Sequence, residues 1–402
     1  MLTTKTKMPV IPITELEQSA FCQTDDELES KSLVEELAVG VRWQRIPKIY
    51  LGLPPNVLAG RIKAAKKILG QKVVILGHHY QRDEVIQFVD YTGDSFKLSQ
   101  YAASQKDAEY IIFCGVHFMA ETADILTNND QKVILPNMTA GCSMSDMAIT
   151  DDVLDCWDDL NSILKDQIIT PITYMNSTAD IKALCGENDG VVCTSSNAKK
   201  TFEWALEKQG KILFLPDQHL GRNTALRMGV TNGEIIVWDP FKSLGGNSVE
   251  DIDKSRIILW KGHCSVHTRF TFEQIKKARV KHPDVKVIVH PECTPDVVDN
   301  ADVYGSTEFI IDEVSNSKPG TSWAIGTEIN LVKRLAKENQ DKNIFCLDSL
   351  VCPCATMYRV HPAYLLWMLE SLIDKNPTNV IEVPADIKKN AKKALDLMLS
   401  LS

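Results

Sequence analysis

Three cysteines lie in polar, turn-like settings that suit metal ligation. Cys142 stands in Gly-Cys-Ser, Cys264 in Gly-His-Cys-Ser, and Cys354 in a loop that also contains Cys352. The chain has no pair of closely spaced cysteine pairs of the kind compact zinc sites use, so the ligands would come from three distant loops. Three thiolates fit a zinc ion with one open position or a cubane iron–sulfur cluster with one iron lacking a protein ligand. Because a cluster tolerates distant loops better, the spacing favours the cluster.

The chemistry of such a cluster follows from its open iron. An iron with a free coordination position is a Lewis acid that binds a carboxylate, hydroxyl or nitrogen and assists loss of water. The sequence therefore predicts dehydratase-like chemistry that needs no redox change. The alternative is that the three cysteines are free loop thiols.

A second set of polar residues follows short apolar runs, where strands would end. Hydroxyl, amide and imidazole groups at such ends suit carboxylates and phosphate. Taken alone, each histidine is as easily a structural residue, but the recurrence of these types favours a site. These residues are His78, Ser95, Asn176, Ser195, His290 and Thr307. Tyr80, Tyr174 and Glu292 add proton-transfer capacity.

The first and last thirds of the chain share a register of 212 residues. The matched pairs are His78 and His290, Val85 and Val297, Asp90 and Asp302, Gly93 and Gly305, Ser95 and Thr307, and Cys142 and Cys354. A middle unit repeats the order more loosely, with Asn176, Ser195 and then Cys264. Its greater length predicts an insertion within residues 234–256. Self-similarity of this kind indicates repeated structural units.

The elements that must position these residues are short apolar strands alternating with amphipathic stretches. Strands are predicted at 72–76, 109–113, 132–135, 171–175, 190–193, 211–215, 286–290, 323–326 and 343–347. This alternation predicts parallel sheets wrapped by helices, which bind ligands beyond the carboxyl ends of their strands.

We therefore predict an α/β fold with three similar parallel-sheet α/β/α domains around a pseudo-threefold centre. An N-terminal extension, residues 1–55, precedes domains at 56–150, 151–273 and 274–402, the last with a C-terminal helix. The extension is expected to be helical or partly disordered and has no assigned catalytic role. The alternative architecture is three stacked Rossmann-like modules with separate sites.

Composition narrows the class of protein. The chain has 402 residues and a net charge of -9, which argues against a nucleic-acid-binding face. No apolar run reaches the length of a membrane helix, and the N-terminus lacks the apolar core of a secretory signal. Eleven cysteines, an odd number, favour a reducing, cytoplasmic setting with most thiols buried, Cys114, Cys193 and Cys346 among them.

At this point the motifs resemble those of the quinolinate synthase family, over about residues 56–370. The matching stretches are LGHHYQ (76–81), GDS (93–95), GCSM (141–144), YMNST (174–178), CTSSNA (193–198), PDQHLG (216–221), GHCSVH (262–267), HPEC (290–293), GST (305–307), IGTE (325–328) and CATM (354–357).

The resemblance implies three similar α/β domains around a central site and one [4Fe–4S] cluster per chain on Cys142, Cys264 and Cys354. It implies condensation of iminosuccinate with dihydroxyacetone phosphate to quinolinate, with loss of phosphate and water, for NAD biosynthesis. The enzyme that supplies iminosuccinate is an expected partner. Substrate-binding residues map onto His78, Ser95, Tyr174, Asn176, Ser195, His290, Glu292 and Thr307, and Tyr80, Tyr174 and Glu292 are the catalytic candidates.

One departure from the family pattern concerns the third ligand, because Cys352 and Cys354 compete for the position. Cys354 keeps both the C-x-x-M spacing to Met357 and the 212-residue register, so it is preferred. A redox pair between Cys352 and Cys354 is the alternative use of the two thiols. Rival functions are another cluster hydro-lyase, an iron–sulfur sensor and a zinc-stabilised structural protein.

Overall fold

A computed structural model describes residues 17, 19–23, 31–39, 41–208 and 210–401. Its strands are β1 Val73–His78, β2 Tyr91–Gly93, β3 Tyr110–Cys114, β4 Lys132–Ile134, β5 Ile169–Tyr174, β6 Val191–Cys193, β7 Lys211–Leu215, β8 Ile235–Trp238, β9 Ile257–Trp260, β10 Lys286–Val289, β11 Val303–Tyr304, β12 Ser322–Gly326, β13 Asn343–Cys346 and β14 Val380–Ile381.

The helices alternate with these strands, as the sequence predicts. They are α1 Leu33–Leu37, α2 Pro55–Leu69, α3 Asp83–Ile86, α4 Ser95–Ser104, α5 His117–Leu126, α6 Ser143–Asp146, α7 Thr150–Leu164, α8 Ala179–Glu187, α9 Ala198–Glu207, α10 Gln218–Arg227, α11 Val249–Lys254, α12 Phe272–Lys281, α13 Pro295–Asn300, α14 Thr307–Ser315, α15 Ile329–Glu338, α16 Pro362–Ile373 and α17 Ala385–Ser400. No helix in the described part of the chain has both the length and the apolar character needed to cross a membrane.

The strands form three sheets with one shared plan, which confirms the α/β class. The orders are β14-β4-β3-β1-β2, β6-β5-β7-β9-β8 and β11-β10-β12-β13. In each sheet the first strand of the unit lies between the second and third strands, and all shared pairings are parallel. The short β14 is antiparallel to β4. The predicted insertion adds strand β8 to the middle sheet and helix α11 to the middle unit.

Burial explains why these runs form strands. All six residues of β5 are buried, and β1 is buried except at Val74. Parallel strands covered by helices on both faces need such continuous apolar runs, in contrast to the alternating pattern of a half-exposed sheet. All nine predicted strands are present, with ends shifted by up to two residues. Cys114 and Cys193 are buried as expected, and Cys346 is partly buried.

The C-terminal residues pack away from the third sheet. Strand β14 joins the first sheet, and α17 packs on α8 of the middle unit. Gly186 in α8 permits this contact, because a Cβ there would lie 1.9 Å from the Asn390 carbonyl oxygen. The boundary of the last domain, 274–402, stays a prediction, and these final residues tie the first two units together.

The described N-terminal residues pack on the loop that carries the third cysteine. Phe21 contacts Ala355 and Tyr358, and Gln23 pairs with Val351. The prediction of a helical or partly disordered extension also covers residues 1–16, 18, 24–30 and 40, which lie outside the described residues. The described part is an ordered contact with the loop at 351–358.

Candidate active site

The site lies where the strand order reverses in each of the three sheets. His78 ends β1, Tyr174 ends β5, and His290 directly follows β10. Each of these strands separates the second strand of its unit from the third, so its carboxyl end opens into the crevice where parallel sheets bind ligands. The three crevices meet in one cavity, whose volume is about 620 Å³ when its opening to solvent is included.

All twelve site residues predicted from the sequence line this cavity. They are His78, Tyr80, Ser95, Cys142, Tyr174, Asn176, Ser195, Cys264, His290, Glu292, Thr307 and Cys354. A single centre contradicts the alternative of stacked modules with separate sites. The structure locates these side chains, while their individual roles stay predictions.

The three thiols are partly buried and share the cavity. Burial raises the pKa of Cys264, and the Glu292 carboxylate and the other two thiols raise it further. Burial likewise raises the pKa values of Cys142 and Cys354. The thiols therefore remain protonated at neutral pH unless a cation stabilises the thiolates, and metal binding would release their protons.

The spacing of ligand atoms separates one ion from a cluster. Tetrahedral zinc, with Zn–S bonds of about 2.3 Å, would bring its sulfurs to about 3.8 Å from one another. Within the described residues the three thiols do not form a group whose ligand atoms lie within 4.8 Å, whereas Cys264, His267 and Glu292 do. The three thiols are therefore spread more widely here than one tetrahedral zinc ion would hold them, which leaves a larger group as the candidate.

Cys352 lies outside the cavity and is bonded to Cys22. The sequence analysis favours a reducing setting, which does not predict this bond, and in this structure Cys352 is paired with Cys22 and not with Cys354. The sequence contains no signal for this bond, because it joins residues 330 positions apart. Cys354 is left as the free thiol of the loop.

Glu292 is the polar centre of the cavity wall. The Tyr174 hydroxyl donates to its Oε1 at 2.6 Å, and the His267 Nδ1–H donates to its Oε2 at 2.9 Å. Burial opposes ionisation, but His267, His290 and these hydrogen bonds outweigh it and lower the pKa of Glu292 to about 2. A buried carboxylate held by two donors stays ionised at neutral pH and fixes the Tyr174 hydroxyl and the His267 ring in place.

His78 and His290 occupy equivalent positions and have equivalent hydrogen bonds. Nδ1 of His78 accepts the Tyr80 N–H at 3.1 Å, and Nδ1 of His290 accepts the Glu292 N–H at 3.4 Å. Burial lowers both imidazole pKa values to about 3, helped by His79 for His78 and by His267 for His290. Both rings are therefore neutral at pH 7, and the Nε2–H of each is left to donate.

Tyr80 places its hydroxyl among three partners from other units. The oxygen lies 2.8 Å from Thr327 Oγ1, 3.3 Å from Thr307 Oγ1 and 3.4 Å from His267 Nε2. Burial, and then the Glu292 charge, raises the phenol pKa well above its usual value. Tyr80 is therefore a protonated donor at neutral pH.

Helix starts account for the hydroxyl residues. Asp94 caps α4 by accepting the Lys97 N–H, which makes Ser95 the first helical residue. Ser306 caps α14 in the same way, with Thr307 first in that helix. Both helix N-termini thus meet the cavity wall, where backbone N–H groups and the helix dipole favour anions.

Among the titratable residues of the cavity wall, sequence reasoning missed two, Asp94, which caps α4, and His267. His267 lines the cavity, stacks on His290 with ring centroids 4.4 Å apart, and bonds Glu292. It belongs to GHCSVH, one of the quoted motifs, so its presence was visible while its contacts were not. Those contacts join a loop after β9 to a loop after β10, and spacing within one unit does not predict them.

Comparison with known proteins gives one consistent result. Residues 60–400 match the family model described as "Quinolinate synthetase A protein". The chain is 54% identical over 360 residues to a quinolinate synthase from Corynebacterium glutamicum, covering 90% of this chain and 91% of that one. It is 54% identical over 359 residues to one from a Nocardioides species, covering 87% and 91%, and 52% identical over 362 residues to one from Geobacillus kaustophilus, covering 90% and 98%.

Proposed function

The chain belongs to the quinolinate synthetase A family, and we propose that it condenses iminosuccinate with dihydroxyacetone phosphate to form quinolinate, with loss of phosphate and water. The observation that carries this proposal is the convergence of neutral donors, two carboxyl groups and three thiols from three sheets on one cavity. The reaction belongs to de novo NAD biosynthesis, which we place in the cytoplasm. The enzyme that forms iminosuccinate is the proposed partner.

The cofactor of the proposal is one [4Fe–4S] cluster held by Cys142, Cys264 and Cys354. The wide spacing of the thiols and their shared cavity support it, and three ligands leave one iron open. When bound, the cluster supplies a Lewis acid for the loss of water.

Anionic substrates must be recognised here without nearby basic side chains. Among the described residues, those that line the cavity include no lysine and no arginine. Recognition would then depend on neutral N–H and O–H donors and on helix N-termini, which stabilise anions without a counter-charge. We assign the dicarboxylate to His78, Ser95 and Ser195, with His290 and Thr307 completing the pocket.

Asn176 has an unmet hydrogen-bonding capacity that matches a substrate. Its Oδ1 is buried and has no hydrogen-bond partner among the described residues. A buried acceptor without a donor is unfavourable, so a ligand N–H or O–H at this position gains the full bond. We propose that Asn176 accepts a hydrogen bond from the nitrogen of the iminosuccinate skeleton, with Tyr174 orienting the same atom.

Two side chains would move protons in the condensation and dehydration. Tyr174 donates to Glu292, so a proton taken up from substrate by the Tyr174 oxygen would pass on to Glu292; because the pKa of Glu292 is low, it would act as the base only toward strongly acidic, cationic intermediates. Tyr80, with its raised pKa, would donate to a leaving hydroxyl or a developing oxyanion. The two groups approach the cavity from different sheets, which lets acid and base act on different substrate atoms.

The direct test is product formation by protein purified without oxygen. Iminosuccinate and dihydroxyacetone phosphate are supplied, and quinolinate is identified by mass and by its ultraviolet spectrum. Turnover that requires both substrates supports the proposal. Protein that contains iron and sulfide but makes no quinolinate favours a sensor or another hydro-lyase and contradicts the proposal.

A further inference from the structure

The turn after β12 contains two buried polar residues that the proposed chemistry does not use. Thr327 and Glu328 directly follow the last residue of the strand, Gly326, and are 1% and 0% exposed. Neither lines the cavity. They belong to the motif at 325–328, so their burial and their contacts need an explanation of their own.

Thr327 holds the phenol of Tyr80. Its Oγ1 lies 2.8 Å from the Tyr80 hydroxyl, the shortest of the three contacts of that oxygen. The same Oγ1 lies 3.3 Å from His267 Nε2. One hydroxyl therefore fixes two groups of the cavity wall that come from different units.

Glu328 holds the loop of the third cysteine. Its Oε1 accepts the Cys354 backbone N–H at 3.1 Å, and its Oε2 accepts the Asn330 N–H at 2.7 Å. The second bond caps α15, so the carboxylate is fixed to a helix while it holds the loop. Asn330 Nδ2 donates to Glu328 Oε1 at 2.9 Å and also lies 3.5 Å from the Tyr80 carbonyl oxygen. The turn thus contacts Tyr80 at both its phenol and its backbone.

The equivalent turns show that the fold does not require this polar pair. The third strand of the first unit is β3, which ends at Cys114 and is followed by Gly115 and Val116. The third strand of the middle unit is β7, which is followed by Pro216 and Asp217. Asp217 caps its helix as Glu328 does. At the position of Thr327, however, the other two units have Gly115 and Pro216, so the fold does not need a hydroxyl there.

We infer that the Thr327–Glu328 turn is a positioning element that sets the Tyr80 phenol against the Cys354 thiol. Thr327 holds the phenol of Tyr80, and Glu328 holds the loop of Cys354. Because the two residues are adjacent in the chain, they fix the phenol and the loop relative to each other. This inference builds on the proposed function, in which Tyr80 is the proton donor and Cys354 a cluster ligand. Neither Thr327 nor Glu328 touches substrate.

The first test replaces the hydroxyl by a methyl group of the same shape. Thr327→Val is expected to keep its iron content and its KM within about twofold, while kcat falls at least about tenfold, the effect of one hydrogen bond. Thr327→Ser restores kcat, and in a Tyr80→Phe background Thr327→Val adds no further loss. The matched control is Thr201→Val, another buried threonine, whose hydroxyl donates to the Asn197 carbonyl oxygen away from Tyr80 and which should therefore leave kcat unchanged. A kcat for Thr327→Val within twofold of wild type overturns the inference, as does an additive loss in the Tyr80→Phe background.

The second test does not depend on activity. Glu328→Gln keeps the shape but weakens the bond to the Cys354 N–H, because a neutral amide is a poorer acceptor than a carboxylate. Iron release to a chelator, followed by loss of visible absorbance, is expected to accelerate about tenfold, with Glu328→Asp intermediate. An unchanged release rate overturns this half of the inference. If wild-type protein makes no quinolinate, the proposed function fails, while the chelator measurement still tests the hold on Cys354.

Discussion

The loop of Cys354 has two sides that are built from opposite chemistry. On the cavity side lie neutral imidazoles, hydroxyls and an amide, with Asp94 and Glu292 as the two carboxyl groups among the described lining residues. On the outer side lie buried ion pairs, Arg82 with Glu36 and Arg359 with Glu17, and the Cys22–Cys352 bond. Charges matched within the protein hold the loop from outside, whereas neutral donors line the cavity in which we propose that the substrate binds.

The outer side also links the separate units. Arg82 follows the Tyr80 turn by two residues, stacks over the Tyr358 ring at 4.1 Å and bonds Glu36 of α1. Arg359 donates to the Thr139 carbonyl oxygen, three residues before Cys142. These two guanidinium groups therefore connect the third cysteine loop to the first unit and to the N-terminal residues. We expect substitutions on the cavity side to lower catalytic activity and substitutions on the outer side to lower stability.

The largest expected difference concerns the two carboxylates Glu292 and Glu17. Glu292→Gln should lower kcat by roughly 10²- to 10⁴-fold, because it removes the proposed base. Glu17→Gln, on the outer side, should keep kcat within about threefold and lower stability instead. Steady-state kinetics and unfolding curves on both variants check this. Equal losses of kcat in the two variants would contradict the proposed division between a catalytic cavity side and a stabilising outer side.

Removing the buried arginine of the outer side should have the next largest effect. Arg82→Met leaves Glu36 unpaired, with both side chains 1% exposed in the wild type, so we expect a loss of about 3–5 kcal/mol in unfolding free energy. The control is Arg227→Met, which breaks an exposed pair with Asp299 and should cost about 1 kcal/mol or less. Denaturant unfolding without oxygen measures both. Similar losses in the two variants would show that the buried pair does not hold the loop.

The smallest expected effect is a dependence of stability on pH from the cavity side. The pKa of His290 is about 3 in the folded protein because of burial and His267, against about 6.5 in the unfolded chain. Between these values the unfolded state binds more protons, so stability falls as pH drops from 6.5 toward 3. The wild type should lose stability between pH 7.5 and pH 5, and His290→Gln should reduce that loss of unfolding free energy by about 2 kcal/mol. An unchanged slope in His290→Gln would contradict the assignment.

The sequence predicts the cavity side better than the outer side, for a physical reason. Strand-end residues follow from the apolar run before them, and the 212-residue register matches two units position by position. Strands β2 and β11 were missed because two or three residues carry no apolar pattern. Strand β9 was also missed, although its run IILW has the same apolar pattern as the predicted strands and could have been predicted.

The outer side depends on contacts that sequence spacing does not encode. The bonds of Glu17 to Arg359 and of Cys22 to Cys352 join residues more than 300 positions apart. The His267–Glu292 bond links two units across their loops, and the same holds for Thr327 and Tyr80. Such pairs form because the sheets meet, which only the assembled fold shows.

The most direct test of the account compares the four cysteines of the three loops. Iron, sulfide and quinolinate formation are measured in wild type and in Cys142→Ala, Cys264→Ala, Cys354→Ala and Cys352→Ala, all purified without oxygen. The account predicts about four irons per chain with turnover in wild type and in Cys352→Ala, and loss of both in the other three. Zinc in place of iron, or a cluster that survives Cys354→Ala but not Cys352→Ala, would contradict it.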